Sequence, residues 1–316
     1  MSSNPGTGFE YPPTKVSWLK RDILLFANSI GCGADELHFL FLTTNPKESH
    51  PNFAMFPTYA VILSIKGDSQ EVINFYDSQK KITIPGVPKL DPARLVDGQR
   101  LMQFFRPLPP TSEGRSFEVR TKILGVYDKG NPGSVMEMQR DIIDKENGQV
   151  YVREIGSVFY VGQGNWGGPK GPATQNFKPP SGKSPDNIEI IQTSPETALL
   201  YRLNGDYNPL HATPEPGKKM GFGGTIIHGL YSWNAVAHSI LKAIGGSKPQ
   251  NLKEFQARFA SPVRPGDKLI LEVWRIGEFK GEFEEIRFQA KIEGGKICLN
   301  NGRALIRPAD TRESKI

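Results

Sequence analysis

Between Asn204 and His211 the sequence reads NGDYNPLH, which brings a carboxylate, an amide and an imidazole, those of Asp206, Asn208 and His211, within six residues. Asp206 and His211 are five apart, whereas side chains that meet on one straight helix are three or four apart. Pro209 bars Asn208 from helical geometry and keeps the loop turned. A bent loop can aim all three groups at one water, with Asp206 or His211 as base and its partner returning a proton. Asp, Asn, Gly and Pro are also the commonest turn formers. Taken alone, the stretch reads first as a turn, with His211 capping the next segment.

A second motif shifts that reading. Seventeen residues after His211 comes His228-Gly229, preceded by the glycine-rich GFGGT and followed by an apolar segment of helical length. Backbone N–H groups at a helix N-terminus lack internal partners and carry partial positive charge, which suits an oxyanion. Water activation and oxyanion binding then fall in adjacent elements. His228 itself reads equally as catalytic or as orienting. The other histidines, His38, His50 and His238, lie in unrelated contexts. No H-E-x-x-H motif or Cys/His run occurs, so no metal or other cofactor is expected. No G-x-S-x-G elbow is present either. Met136, Met138 and the aromatic run Phe53, Phe56 and Tyr59 read as core.

The elements that must position these groups are legible around them. Thr225 to Ile244 is apolar on most faces and closed by Gly245-Gly246, a helix that has to be buried. In Glu284 to Ile292, Ile286, Phe288, Ala290 and Ile292 alternate with charged or amide residues, the period of a sheet with one wet face. Gly294-Gly295 then predicts a hairpin into KICLNNGRALI. This is an antiparallel meander, not a parallel nucleotide-binding sheet. The segment Gly162 to Asp186 is rich in Gly, Pro, Lys and Asn and reads as a linker. Its Gly182-Lys183-Ser184 is no phosphate loop, because Phe177 stands where the first glycine should be.

Across that linker the two halves share an order of signals. LKRDILLFANSIG (residues 19–31) corresponds to SPETALLYRLNGD (194–206), and RPLPPTSEGRSFEVRTKI (106–123) to ASPVRPGDKLILEVWRI (260–276). An ancient duplication accounts for both pairs. The organisation expected is a first domain over 1–161, a linker over 162–186 and a second domain over 187–316.

Composition bounds the function class. The 316 residues include 39 Lys and Arg against 33 Asp and Glu, a net charge of +6 without basic blocks. This disfavours nucleic acid and suits a polyanionic small molecule. Cys32 and Cys298 are too few for a disulfide framework, which fits a reducing compartment. No secretory signal and no apolar run of membrane-spanning length is evident, so neither secretion nor a membrane is expected. The final Ser314-Lys315-Ile316 is one side chain away from the Ser-Lys-Leu address read by the peroxisomal import receptor.

Together GDYNPLH, GGTIIHGL and FASPVRPGD resemble the hydratase-2 signature of MaoC-like (R)-specific 2-enoyl-CoA hydratases, including the hydratase-2 part of peroxisomal multifunctional enzyme type 2. DILLFANSIGCG, MFPTYAVIL, FRPLPPTSEG and VYDKG extend the likeness over nearly the whole chain. The resemblance implies an α+β double hotdog, two curved antiparallel sheets each around a helix, with the catalytic loop only in the second. Aligning LLFANSIG with LLYRLNGD sets Gly31 against Asp206 and Glu36 against His211, so the first half has lost the acid/base pair. In the family that half makes room for a long or bulky acyl chain.

The resemblance implies that Asp206 and His211 activate the water, that Asn208 orients it, and that the Gly229 N–H binds the thioester oxygen. It adds Gly98, Lys129, Tyr207 and Phe259 as substrate contacts, with Lys129 suited to the anionic CoA. The expected reaction is hydration of a trans-2-enoyl-CoA to a (3R)-3-hydroxyacyl-CoA, or its reverse, without a cofactor, in fatty-acid β-oxidation or a biosynthetic pathway. The chain departs from the family at Asp97-Gly98, often His-Gly, and in HATPEPGKKMGFGG after His211, and both departures bear on acyl specificity. No short-chain dehydrogenase domain accompanies the motif, so the product is expected to pass to another catalyst. Two hotdogs in one chain can pair internally as a monomer, while the resemblance implies a homodimer. The other readings are a non-catalytic acyl-CoA-binding protein and a hotdog thioesterase.

Overall fold

The alternating segment near the C-terminus becomes a strand whose inward positions, Ile286, Phe288 and Ala290, are fully buried. It is one of ten strands in a single antiparallel sheet, seen in a computed structural model that describes residues 5–78 and 82–309. The strands are β1 (Thr14–Val16), β2 (Leu95–Phe104), β3 (Phe117–Asp128), β4 (Gly133–Asp144), β5 (Val150–Val161), β6 (Asn187–Gln192), β7 (Leu252–Phe259), β8 (Lys268–Lys280), β9 (Phe283–Ile292) and β10 (Ile297–Ile306). Their order is β1-β3-β4-β5-β2-β7-β10-β9-β8-β6. Outward from the central β2–β7 pair, the two halves therefore run through their strands in the same sequence, the signature of a double hotdog. Leu101 faces Gln256 at the middle of that pair.

Seven α-helices lie among the described residues: α1 (Lys20–Ser29), α2 (Leu37–Leu40), α3 (Ala60–Lys66), α4 (Phe75–Ser78), α5 (Thr197–Tyr201), α6 (Pro214–Lys219) and α7 (Gly229–Gly245). The sheet curves around α7, whose Trp233, Val236, Ala237 and Ile240 have no exposed surface. Trp233 meets Phe255 of β7 edge-on at 4.6 Å, and Phe255 stacks on Phe288 of β9 at 5.0 Å. Gly246 closes the helix in a left-handed conformation, φ 61°, where a side chain would be strained. The two central helices are unequal: α3 has seven residues where α7 has seventeen. Met136 and Met138 are buried in a smaller cluster on the first half of the sheet, and Phe56 and Tyr59 in the main core.

The outer face of the second half departs from the wet face expected of it. Glu285 and Arg303 are buried there, with Arg303 Nε donating to Glu285 at 2.9 Å and Nη1 to Glu254 at 2.7 Å. The irregular segment between β5 and β6 explains the covering: its Phe177 ring lies beneath Arg287 at 4.6 Å and Arg303 at 5.3 Å. Asp128 pins the start of the same segment by accepting from the N–H groups of Asn165 and Gly167. No helix of the described residues is long and apolar enough to cross a membrane. Ser314, Lys315 and Ile316 lie outside the described residues.

Candidate active site

The catalytic loop is set by two local constraints. Gly205, after α5, has φ 119°, and a Cβ there would lie 2.8 Å from the Cβ of Lys66, so the turn requires glycine. Asn208 then accepts a hydrogen bond from the Leu210 N–H at 3.0 Å, capping the short 3-10 turn Pro209–His211. Asp206 accepts from the Asn208 N–H at 3.3 Å. The turn-forming and site-forming roles of NGDYNPLH thus belong to the same atoms, and the Asn208 side-chain NH2 remains to bond a ligand.

His211 is buried, and its Nδ1 lies 2.9 Å from the carbonyl oxygen of Ile226. A carbonyl only accepts, so Nδ1 carries the proton and the neutral ring presents a lone pair at Nε2. Burial pulls the His211 pKa below its ordinary value, against the charges of Asp206 and Asp97 and the bond to Ile226. His228, the residue that precedes α7, stacks on His211 at 3.8 Å and its Nε2 donates to the Asp206 carbonyl at 3.2 Å. Burial, then the neighbouring His211, drive its pKa well down. His228 therefore holds the Asp206 backbone and the His211 ring in place.

These groups open on a cavity of about 360 Å³. Asp206, Asn208, His211, Gly229 and Phe259 all line it. The Gly229 N–H, first of α7, has no partner among the described residues, as the opening N–H groups of a helix generally do not. A Cβ on Gly229 would stand 3.0 and 3.1 Å from two atoms of the Phe259 ring. A side chain there would press on the ring where the helix end and the cavity meet.

The first half contributes Leu95, Val96 and Asp97 from the start of β2. Gly98 lies behind them at a bulge opposite Ser157, where a Cβ would come within 2.7 Å of the serine hydroxyl. The bulge re-aims the strand so that Asp97 meets the cavity. Asp97 also accepts from the buried Arg100 at 2.9 Å, which is paired with Glu154 as well. Gly98 is thus adjacent to the cavity rather than in its wall.

Tyr207 points the other way, because successive residues of an extended loop alternate sides. It lies under the Arg202 guanidinium at 5.1 Å, in a separate groove with Arg21 and Lys66. Lys129 lies in the β3–β4 turn, where its ammonium donates to the Lys170 carbonyl. Pairing runs from Leu95 to Tyr160, Tyr160 to Ser134 and Ser134 to Asp128, so Lys129 is at the cavity's end of the sheet. Three strand spacings place it ~14 Å away, a distance suited to the far end of an elongated ligand rather than to the reacting atoms.

Sequence reasoning did not assign Met220, Phe222 or Cys298 to the cavity, yet all three line it. Met220 and Phe222 come from the segment after His211 that departs from the family pattern, which was the available signal. Two sets of metal-capable side chains occur among the described residues, Asp206 with His211 and His228, and Cys32 with Glu36 and His238. The second set was invisible in sequence because 202 positions separate His238 from Glu36. In the first, each imidazole already has one nitrogen on a carbonyl; in the second, Glu36 is bonded to His238 and Ser247.

A buried acid/base loop facing a helix N-terminus at the join of two hotdogs defines a hydro-lyase of the hotdog class. Residues 17–162 match the model of the MFE-2 hydratase 2 N-terminal domain, and residues 176–294 that of the MaoC like domain. The chain is 48% identical to "Probable dehydratase NIT22" of Ajellomyces capsulatus, over 98% of this chain and 84% of that one. It is 30% identical to "Enoyl-CoA hydratase 2, peroxisomal" of Arabidopsis thaliana, over 84% of each. A MaoC-like dehydratase from Phytophthora capsici superposes with a TM-score of 0.81 at 29% identity, covering 97% of both chains. The chain belongs to the MaoC-like dehydratase and enoyl-CoA hydratase 2 family.

Proposed function

We propose that this protein adds water across the double bond of trans-2-enoyl-CoA thioesters to give (3R)-3-hydroxyacyl-CoA, and catalyses the reverse dehydration. The observation that carries the reading is the convergence of Asp206 and His211 beside the free N–H of Gly229 in one cavity. His211 Nε2 takes one proton from a water held by Asp206 and the Asn208 amide, and the oxygen bonds to C3. Negative charge moves through C2 to the thioester oxygen, where the Gly229 N–H and the α7 N-terminus receive it. The imidazolium then returns its proton to C2. One water is added and the enzyme is restored, with no cofactor in the balance.

Residues 187–316 supply the chemistry in this reading, and residues 1–161, joined through 162–186, complete the cavity wall through Asp97. Phe259 packs on the acyl thioester, Gly98 shapes the first-half wall, and Lys129 meets the phosphates of CoA. Tyr207 acts from outside the cavity by setting the loop against Arg202. The Ser314-Lys315-Ile316 ending serves as a peroxisomal import address, in keeping with the named location of the Arabidopsis relative. The working assembly is a homodimer.

The test is incubation with enoyl-CoAs of several chain lengths and chiral separation of the product. An (R)-3-hydroxyacyl-CoA is expected. An (S)-product overturns the stereochemistry, release of free CoA thiol makes the protein a thioesterase, and no turnover with any chain leaves a binding protein.

A further inference from the structure

The antiparallel β2–β7 pair is the internal two-fold of the molecule. A rotation that exchanges Leu101 with Gln256 carries Phe104 onto Phe259, Pro107 onto Pro262 and Leu108 onto Val263. It carries Val152, which faces Phe104, onto Leu299, which faces Phe259. Phe259, Pro262, Val263 and Leu299 line the catalytic cavity; Phe104, Pro107, Leu108 and Val152 line a second one of about 640 Å³. The larger cavity is thus the symmetry image of the catalytic one. The two share no lining residue. Asp97 and Phe104 are seven residues apart on β2, which separates the cavities by about 23 Å.

The image has lost its chemistry and kept an apolar floor. Glu36, aligned with His211, is buried and turned to α7, where its carboxylate accepts from His238 at 2.7 Å and from Ser247 at 2.6 Å. It does not line the second cavity, and Asp206 is matched there by Gly31. The carboxylate of Asp97 is replaced by the side chain of Leu252. Three cations stand around the apolar wall, Arg106, Lys253 and Arg307, with one carboxylate among them, that of Glu282. Arg307 is held by Glu282 at 2.8 Å, and Lys253 lies 5.7 Å over the Phe105 ring. The Arg106 side chain is exposed and makes no hydrogen bond or ion pair among the described residues.

We propose that this second cavity is a non-catalytic site for a long-chain acyl-CoA. The apolar floor takes the acyl chain, as its image does in the catalytic half, and Arg106 and Lys253 take the phosphates. The choice of ligand rests on the hydratase reading; the existence of the site rests on the two-fold and the charge.

Titration calorimetry of the full chain with palmitoyl-CoA, which is saturated and cannot be hydrated, tests it. Two molecules per chain are expected. Phe105→Asp and Arg106→Glu, both at exposed positions, are expected to weaken one of the two by roughly tenfold or more while crotonyl-CoA hydration stays at the wild-type rate. Phe259→Arg is expected to remove the other. A single site in the wild type that Phe259→Arg abolishes overturns the proposal, as does a second site unmoved by Phe105→Asp and Arg106→Glu. Palmitate binding as tightly as palmitoyl-CoA overturns the assignment to CoA. Two-site binding without crotonyl-CoA hydration sinks the hydratase reading and leaves the second site standing.

Discussion

The Nδ1 of His211 donates to the carbonyl oxygen of Ile226 at 2.9 Å. Ile226 lies two residues before His228 and three before α7, so the segment that leads into the helix also fixes the tautomer of the loop histidine. With the proton committed to Nδ1, Nε2 can only accept, which a general base requires. His211→Ala and Asp206→Asn are each expected to lower kcat for crotonyl-CoA hydration by ~10²–10⁴ while circular dichroism and urea unfolding stay close to wild type. Near-normal turnover in either variant removes that residue from the mechanism.

The burial of His211 sets a pH profile. Its pKa is displaced below the ordinary imidazole value, chiefly by desolvation, so the neutral form persists into mild acid. If neutral His211 is the base, kcat/KM is constant at neutral pH and falls on the acid side below about 6.5. Asp97 opposes the displacement by its charge. Asp97→Asn is therefore expected to move the acid limb to still lower pH; a limb that moves upward contradicts the assignment. Stability has the same sign. The unfolded chain takes up protons at the ordinary value while buried His211 and His228 resist them. Their contribution is complete above about 6.5 and is lost as pH falls.

Local signals made the site legible. Gly205, Asn208 and Pro209 act within a few residues of one another, and the helix after His228 announces itself by its apolar length. The duplication was legible too, and the sheet repeats it, with β6–β10 placed as β1–β5 are. What stayed hidden depends on distant pairing. Asp97 reaches the cavity only because Gly98 bulges β2 against Ser157. Arg303 is buried where Phe177, far away in sequence, lies against its guanidinium. Tyr207, set between two cavity residues in sequence, faces outward because the loop alternates. The unequal lengths of α3 and α7 were not evident either, as both begin in apolar runs.

Glu36 stands where the repeat would place a second catalytic histidine, and it now joins the halves. Burial alone would raise its pKa, but the bonds from His238 and Ser247 and the charges of His238 and Lys242 outweigh it and hold the group at about 2. A depressed carboxylate stabilises the fold above its ordinary pKa, and that stability is lost as pH falls from about 4.5 toward 2. Glu36→Ala leaves His238 buried opposite nothing and is expected to cost roughly 3–5 kcal/mol in urea unfolding at neutral pH, with a smaller loss at pH 3. Glu36→Gln, which keeps the shape and one acceptor, is expected to recover part of it. An equal loss at both pH values contradicts an ionised Glu36.

The contact between Gly229 and Phe259 separates a geometric requirement from a chemical one. A methyl on Gly229 meets the ring at 3.0–3.1 Å, close enough that the ring must shift by a few tenths of an ångström or the helix must. Either movement changes the distance between the Gly229 N–H and the thioester oxygen, and an oxyanion donor acts only at hydrogen-bond length. Gly229→Ala is therefore expected to reduce kcat by about tenfold or more, with a smaller change in KM. Phe259→Leu withdraws the ring edge and, combined with Gly229→Ala, is expected to restore part of the lost kcat, so that the two changes are not additive. Additive losses in the double variant would mean that the added methyl acts on the ligand itself and not through Phe259.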